Sequence, residues 1–163
     1  MAVDEALAVA LNSAARSRRA VRTLVSAAAS SLASAEVLLM ACLAFAGQRR
    51  AAVRMLVAVC LVYVASEALG VLWPRQRPFA ARSDVEALVP HAGERSFPSR
   101  HVASGLAMAA IAHRDHPRLG AAMAGVAWLL GVSRIAAGLH YPTDVLAGAL
   151  VGTSIGRLLL RTK

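Results

Sequence analysis

This 163-residue chain is short of aromatic side chains, which make up 4% of it, and short of acid, with 9 Asp and Glu against 18 Lys and Arg. It shows no strand-period alternation, which argues against a transmembrane barrel. Its two cysteines, Cys42 and Cys60, each sit inside an apolar run with no partner at metal-ligand spacing, so both read as helix-packing residues. No carboxylate cluster suited to a hard cation is present, so neither a metal nor another cofactor is expected. The N-terminus lacks a basic head, an apolar core and a small-residue cleavage site in succession, and no removable signal peptide is expected. The net charge of +9 is scattered among loops. A basic stripe interleaved with aromatics, as single-strand binding needs, is missing, and a nucleic-acid partner is not expected.

What the chain has in quantity is aliphatic residues: it is 58% hydrophobic. Long apolar runs separated by short charged loops point to helices crossing lipid, because there the backbone must satisfy its own hydrogen bonds. The expected fold class is therefore all-α, a polytopic membrane helical bundle of about five to six helices forming a single domain over residues 1–163. Residues 4–15 are too few to cross about 30 Å of hydrocarbon and read as an interfacial helix within an N-terminal segment, 1–22. Arg16, Arg18, Arg19 and Arg22 read as its headgroup anchor. Spans are predicted over 24–46, from the Arg49, Arg50 and Arg54 turn to about residue 73, over 119–136 and over 142–160, with a shorter third helix over 99–113.

Ionisable groups inside such runs are costly and attract a functional reading. Glu36 and Glu67 should not face lipid. Each is either an inward-facing carboxyl bonded to a neighbouring helix or the partner of an active-site arginine, and Glu67, about two turns before Arg77, is the stronger case for the second. Residues 74–98 form the one substantial polar loop, which includes His91 and Glu94, while His113 and His116 read as structural. Gly148, Gly152 and Gly156 make a ridge at four-residue spacing that favours close helix contact.

Counting crossings places the end of the second span, the start of the third, the end of the fourth and the start of the fifth on one membrane face. Arg49, Arg50, Arg54, Arg114, Arg118, Arg157, Arg161 and Lys163 fall opposite, so the positive-inside rule makes the first face the periplasmic or exterior one. Only the Arg16 to Arg22 cluster runs against that orientation.

On that face Ser99 is placed as the N-cap of the third helix, whose free N–H groups make an anion site with His101 in the first turn. Arg75, Arg77 and Arg134 can converge on one phosphate through forked hydrogen bonds. Pro142 suits the first turn of the last helix, bringing Asp144 beside His140. His140, with Asp144 fixing its tautomer, is the better nucleophile, and His101 the better acid and then base for the attacking water.

The run Arg77-Pro78, Pro98-Ser99-Arg100-His101 and Ser133-Arg134 through His140 to Asp144 resembles the three-part signature of the type 2 phosphatidic acid phosphatase superfamily. That superfamily includes lipid phosphate phosphatases, polyprenyl diphosphate phosphatases, soluble acid phosphatases and vanadium haloperoxidases. The resemblance covers residues 70–144. It implies that Arg77, Arg134 and Ser99 bind phosphate, that His101 is the acid, His140 the nucleophile and Asp144 its orienter, and that Ser133 makes a phosphate or structural contact.

Two departures stand out. The lysine with which the family's first part usually opens is Gly70 here, and the usual glycine between serine and histidine is Arg100; either Arg100 or Arg75 could supply the missing cation. The resemblance implies a hydrolase of a lipid phosphate or diphosphate in a bacterial cell membrane, acting through a phosphohistidine, with lipid substrate and membrane lipids as its partners. A polyprenyl diphosphate is the first choice of substrate, ahead of phosphatidic acid or phosphatidylglycerol phosphate. A lipid phosphotransferase and an inactive membrane protein are the alternative classes.

Overall fold

The computed structural model describes residues 3–45, 47–91 and 95–161, and the side chains of these apart from 36 and 42–45. Glu36, Cys42, Glu94 and Lys163, all named above, lie outside that description. Seven helices follow one another among the described residues: α1 Val3–Arg16, α2 Arg19–Phe45, α3 Arg49–Leu72, α4 Pro78–Ala81, α5 Arg100–Asp115, α6 Pro117–Ala136 and α7 Pro142–Arg161. The expected all-α membrane bundle is therefore present, with the single turn α4 added to six longer helices. Four helices, α2, α3, α6 and α7, are long and apolar enough to cross a membrane. They show large apolar side chains outward, among them Val64 and Val71 on α3, Leu129 on α6 and Leu150 on α7. Such a belt suits lipid, which asks for no polar contact.

α5 is different. At 16 residues it is about 24 Å long, and α3, α6 and α7 pack around it so that nearly all its residues from Val102 to Ala112 are buried. Its small side chains, Ala103, Ser104, Gly105 and Ala107, let those neighbours approach closely. The glycine ridge of α7 completes the fit. A Cβ at Gly148 would stand 2.5 Å from the Ser99 carbonyl oxygen, and one at Gly156 2.8 Å from that of Ala107. Both separations are too short for packed atoms, so α7 reaches α5 only because these side chains are missing.

α1 does more than lie at an interface. Ala8, Asn12 and Ala15 recur every three to four residues and are buried against α6, α2 and the polar loop. The Asn12 side chain donates to the carbonyls of Glu86 and Ala136, both at 2.9 Å, and accepts the Glu86 N–H at 3.1 Å. Two of the arginines expected at the headgroups are also used internally: Arg16 donates to the Asp84 carbonyl, and Arg22 pairs with Glu86 at 2.5 Å. The collar formed this way holds the polar loop at Asp84 and Glu86 over one end of the bundle. At the other end His113 Nδ1 lies 3.1 Å from the Pro117 carbonyl, joining α5 to α6 as a structural histidine.

Candidate active site

The turn between α6 and α7 sets His140. Gly138 has φ +77°, a left-handed conformation, and a Cβ there would meet the Glu86 carbonyl oxygen at 2.6 Å. Glycine at 138 is therefore required both by backbone and by space. The turn is sewn to the polar loop, since Leu88 N–H donates to the Ala137 carbonyl and Phe79 N–H to the Gly138 carbonyl, each at 3.1 Å.

His140 is buried, and its Nδ1 lies 2.8 Å from the Ser96 carbonyl oxygen. A carbonyl can only accept, so the proton sits on Nδ1 and Nε2 keeps a free lone pair. This differs from the expectation that Asp144 fixes the tautomer. Asp144 Oδ2 is 3.8 Å from Nδ1, too far for a hydrogen bond. The carboxylate is occupied elsewhere: Oδ2 accepts the Tyr141 N–H at 2.8 Å and Oδ1 accepts from Arg75 at 3.0 Å. Asp144 thus caps the start of α7 and acts on His140 by charge. Burial pushes His140 down to about 4, Arg134 and Arg77 push the same way, and Asp144 opposes them. The ring is neutral at neutral pH.

A cavity of about 150 Å³ opens beside it, with Arg77, His91, Arg95, Arg100, His101 and His140 among its lining. The end of α3, the start of α5 and the turn before α7 therefore meet at one end of the bundle, as crossing order implies. Arg77 is buried and donates to the Leu139 carbonyl at 2.7 Å. Burial, with Arg100 adding, lowers it to about 10, so it stays cationic. His91 is pulled down to about 4 by burial and by Arg77 and Arg134. The site's charge is dominated by guanidinium.

The remaining expected residues divide. Ser99 precedes α5, but its hydroxyl caps nothing and is buried without a partner; its N–H donates to the Asp144 carbonyl at 2.9 Å, tying α5 to α7. Arg134 is buried, donates to the Ala29 carbonyl at 3.1 Å and has an unsatisfied Nε. A bound oxyanion would suit both orphaned donors. Ser133 gives its proton to the Leu130 carbonyl at 2.7 Å, a contact within its own helix.

Arg75 requires a correction. Its guanidinium stacks 3.7 Å over the Tyr141 ring and donates to Asp4 at 2.6 Å, Thr143 at 2.7 Å and Asp144 at 3.0 Å. It is committed behind the turn that carries His140, where two carboxylates hold it, and does not line the cavity. Arg100 does line it and approaches Glu67 at 3.8 Å. Glu67 pairs more closely with Arg95, at 2.6 Å, so its arginine partners are these two.

Sequence reasoning missed two contributors, Ser96 and Asp4, and for a third, Arg95, saw the charge near the site but not its partner. Ser96 acts through a backbone carbonyl, which residue identity cannot advertise. Asp4 sits 139 positions before Thr143, whose N–H and hydroxyl it accepts at 2.9 and 2.7 Å. Arg95 was visible as a charge three residues before Pro98, but its pairing with Glu67 depends on a backbone bridge between Gln76 and Arg95. Among the described residues no group of three or more His, Cys, Asp or Glu side chains is placed to hold a metal ion.

Comparison with known proteins agrees with this architecture. The undecaprenyl-diphosphatase BcrC of Bacillus subtilis (strain 168) is 40% identical over 85 residues, which are 52% of this chain and 44% of that protein. The bacitracin transport permease protein BcrC of Bacillus licheniformis is 33% identical over 96 residues, 59% of this chain and 47% of that one. The chain thus spans about half the length of these curated relatives. The crystal structure of Aquifex aeolicus LpxE superimposes with a TM-score of 0.84 at 25% identity, covering 99% of this chain and 96% of that one. The family model described as the PAP2 superfamily matches residues 51–163, and with the helical fold and the converging histidines and arginines this integral membrane protein belongs to that superfamily.

Proposed function

We propose that the protein is a lipid phosphate phosphatase that works through a phosphohistidine, and that its substrate is a polyprenyl diphosphate. The observation that carries this reading is the cavity, which His140, its proton held on Nδ1, shares with His101 and the guanidiniums of Arg77, Arg95 and Arg100. Guanidiniums gathered round one small cavity suit a phosphoryl group, whose oxygens accept their forked hydrogen bonds. The name of the Bacillus subtilis relative supports the diphosphate choice.

In this mechanism Nε2 of His140 attacks the terminal phosphorus as the bond to the bridging oxygen breaks. Burial, with Arg134 adding, holds His101 down to about 3 without substrate, so the anionic substrate brings in the proton that His101 carries and then passes to the leaving oxygen. His101 then removes a proton from water, whose oxygen attacks phosphorus, and the phosphorus–nitrogen bond breaks to return His140 and free phosphate. Arg77, Arg134 and the Ser99 hydroxyl stabilise the equatorial oxygens, where charge gathers in the transition state. Asp144 stabilises the phosphorylated imidazole through its charge, while the Ser96 carbonyl keeps the ring oriented.

We read the site as facing the periplasm or exterior. Arg49, Arg50, Arg54, Arg114, Arg118, Arg157 and Arg161 lie at the other end of the bundle, and Arg16 and Arg22 on the site's side are engaged with the polar loop.

Phosphate release from a panel of prenyl and glycerolipid phosphates tests the reading. A prenyl diphosphate should be turned over fastest, and His140→Ala should lose on the order of 10³-fold or more. Release from no lipid, or activity retained in His140→Ala, would overturn it.

A further inference from the structure

The mouth of the cavity carries charge that the reaction at His140 does not use. Arg95 and Arg100 both turn to Glu67, at 2.6 and 3.8 Å, and all three side chains are about half exposed. Arg100 also stacks on Tyr63, 5.4 Å from its ring centre. Arg95 lies alongside position 70: a Cβ at Gly70 would be in ordinary contact with the Arg95 side chain, at 3.9 and 4.0 Å, and tight only against the Phe97 carbonyl oxygen, at 3.0 Å.

The positions form an ordered path. His140, His101 and Arg77 line the cavity that Arg95, Arg100 and Glu67 also line. Glu67 and Arg100 in turn border an apolar groove on α3 formed by Tyr63, Val64, Ala68, Val71 and Leu72. The path runs from His140 to the Arg95 and Arg100 guanidiniums paired with Glu67, and on to the apolar surface of α3. It matches the order of groups in a prenyl diphosphate: terminal phosphate, inner phosphate, tail.

We propose that Arg95 and Arg100 form the subsite for the inner phosphate of a diphosphate, with Glu67 as the counterion that holds them in place while the subsite is empty. This rests on the phosphatase reading and adds its choice between one phosphate and two. When the inner phosphate enters, it replaces Glu67 on Arg95, and the forked guanidinium takes two of its oxygens. The terminal phosphorus then faces Nε2 of His140. As that bond forms, the bond from terminal phosphorus to the bridging oxygen breaks, and the electron pair and the His101 proton leave on the prenyl monophosphate. Arg95 and Arg100 hold the negative charge of that leaving group, which makes it a better one.

The test is titration calorimetry of the detergent-solubilised protein with inorganic pyrophosphate and inorganic phosphate, alongside kcat/KM for a prenyl diphosphate and its monophosphate. Wild type should prefer pyrophosphate, and Arg95→Ala should lower that preference, and the diphosphate to monophosphate ratio of kcat/KM, by about tenfold. Arg95→Lys should recover part of both. Glu67→Gln should move the other way, binding pyrophosphate more tightly, which loss of folding would not produce. An unchanged preference in Arg95→Ala, or weaker pyrophosphate binding in Glu67→Gln, would overturn the subsite. The calorimetric result stands without turnover, so a failure of the phosphatase reading shows in the lipid assay and a failure of the subsite shows in the titration.

Discussion

His140 keeps a usable lone pair because its proton is held at Nδ1 by a carbonyl that can do nothing but accept, 2.8 Å away. Burial among arginines then keeps the ring neutral down to about pH 4. A nuclear magnetic resonance titration of His140 in the substrate-free protein should give a midpoint near 4, well below the ordinary 6.5. Arg77→Gln removes one of the positive neighbours and should raise that midpoint. A wild-type value at or above 6.5 would contradict the arrangement. The sign for stability follows: with the folded-state value depressed, His140 favours folding fully above pH 6.5, and that contribution is lost as pH falls from 6.5 toward about 4. His91, depressed to about 4 by burial and the same arginines, adds in the same direction. Residue types alone named His101, His140 and Asp144, because few other combinations make chemistry in an apolar chain. They could not say that Asp144 would spend its oxygens on Tyr141 and Arg75.

Among the elements, α7 against α5 is the contact that sets the geometry, since the first carries Asp144 and the second begins beside Ser99. Gly152 presses directly on the Ala103 backbone. Gly152→Val should cost about 1–3 kcal/mol or more and depress turnover by shifting His140 from the cavity, read by thermal unfolding and by phosphate release. Gly125→Val is the control: a side chain there meets nothing within 4 Å, and the expected change is within about 0.5 kcal/mol. The four-residue glycine spacing made this contact legible in advance. The role of α1 was not, because Asn12 reads as a polar residue on a short amphipathic helix. Its three hydrogen bonds join α1 to Glu86 and Ala136, so Asn12→Ala leaves buried polar groups unpaired and should cost about 1–3 kcal/mol. A thermal midpoint unchanged by that substitution would show that the collar is not held by Asn12.

Among the described residues the outward faces of the long helices are apolar, and the histidines and arginines of the cavity are gathered at one end of the bundle. If that end faces the exterior, a single cysteine at Ser83 in the exposed loop, in a background without Cys42 and Cys60, should react with a membrane-impermeant thiol reagent in intact cells. One at Arg118, at the far end, should react only after permeabilisation. The reverse pattern would invert the orientation. By itself the sequence determined the membrane class, the helical architecture and the end of the bundle at which the histidines and arginines meet, because these depend on apolar run length, helical period and crossing order. Only the tertiary structure decided that Ser96 holds the His140 tautomer, that Arg75 is locked behind the turn by Asp4 and Asp144, and that Arg95 pairs with Glu67. Those assignments depend on carbonyls every residue possesses and on contacts between distant positions, and neither is written in the spacing of a motif.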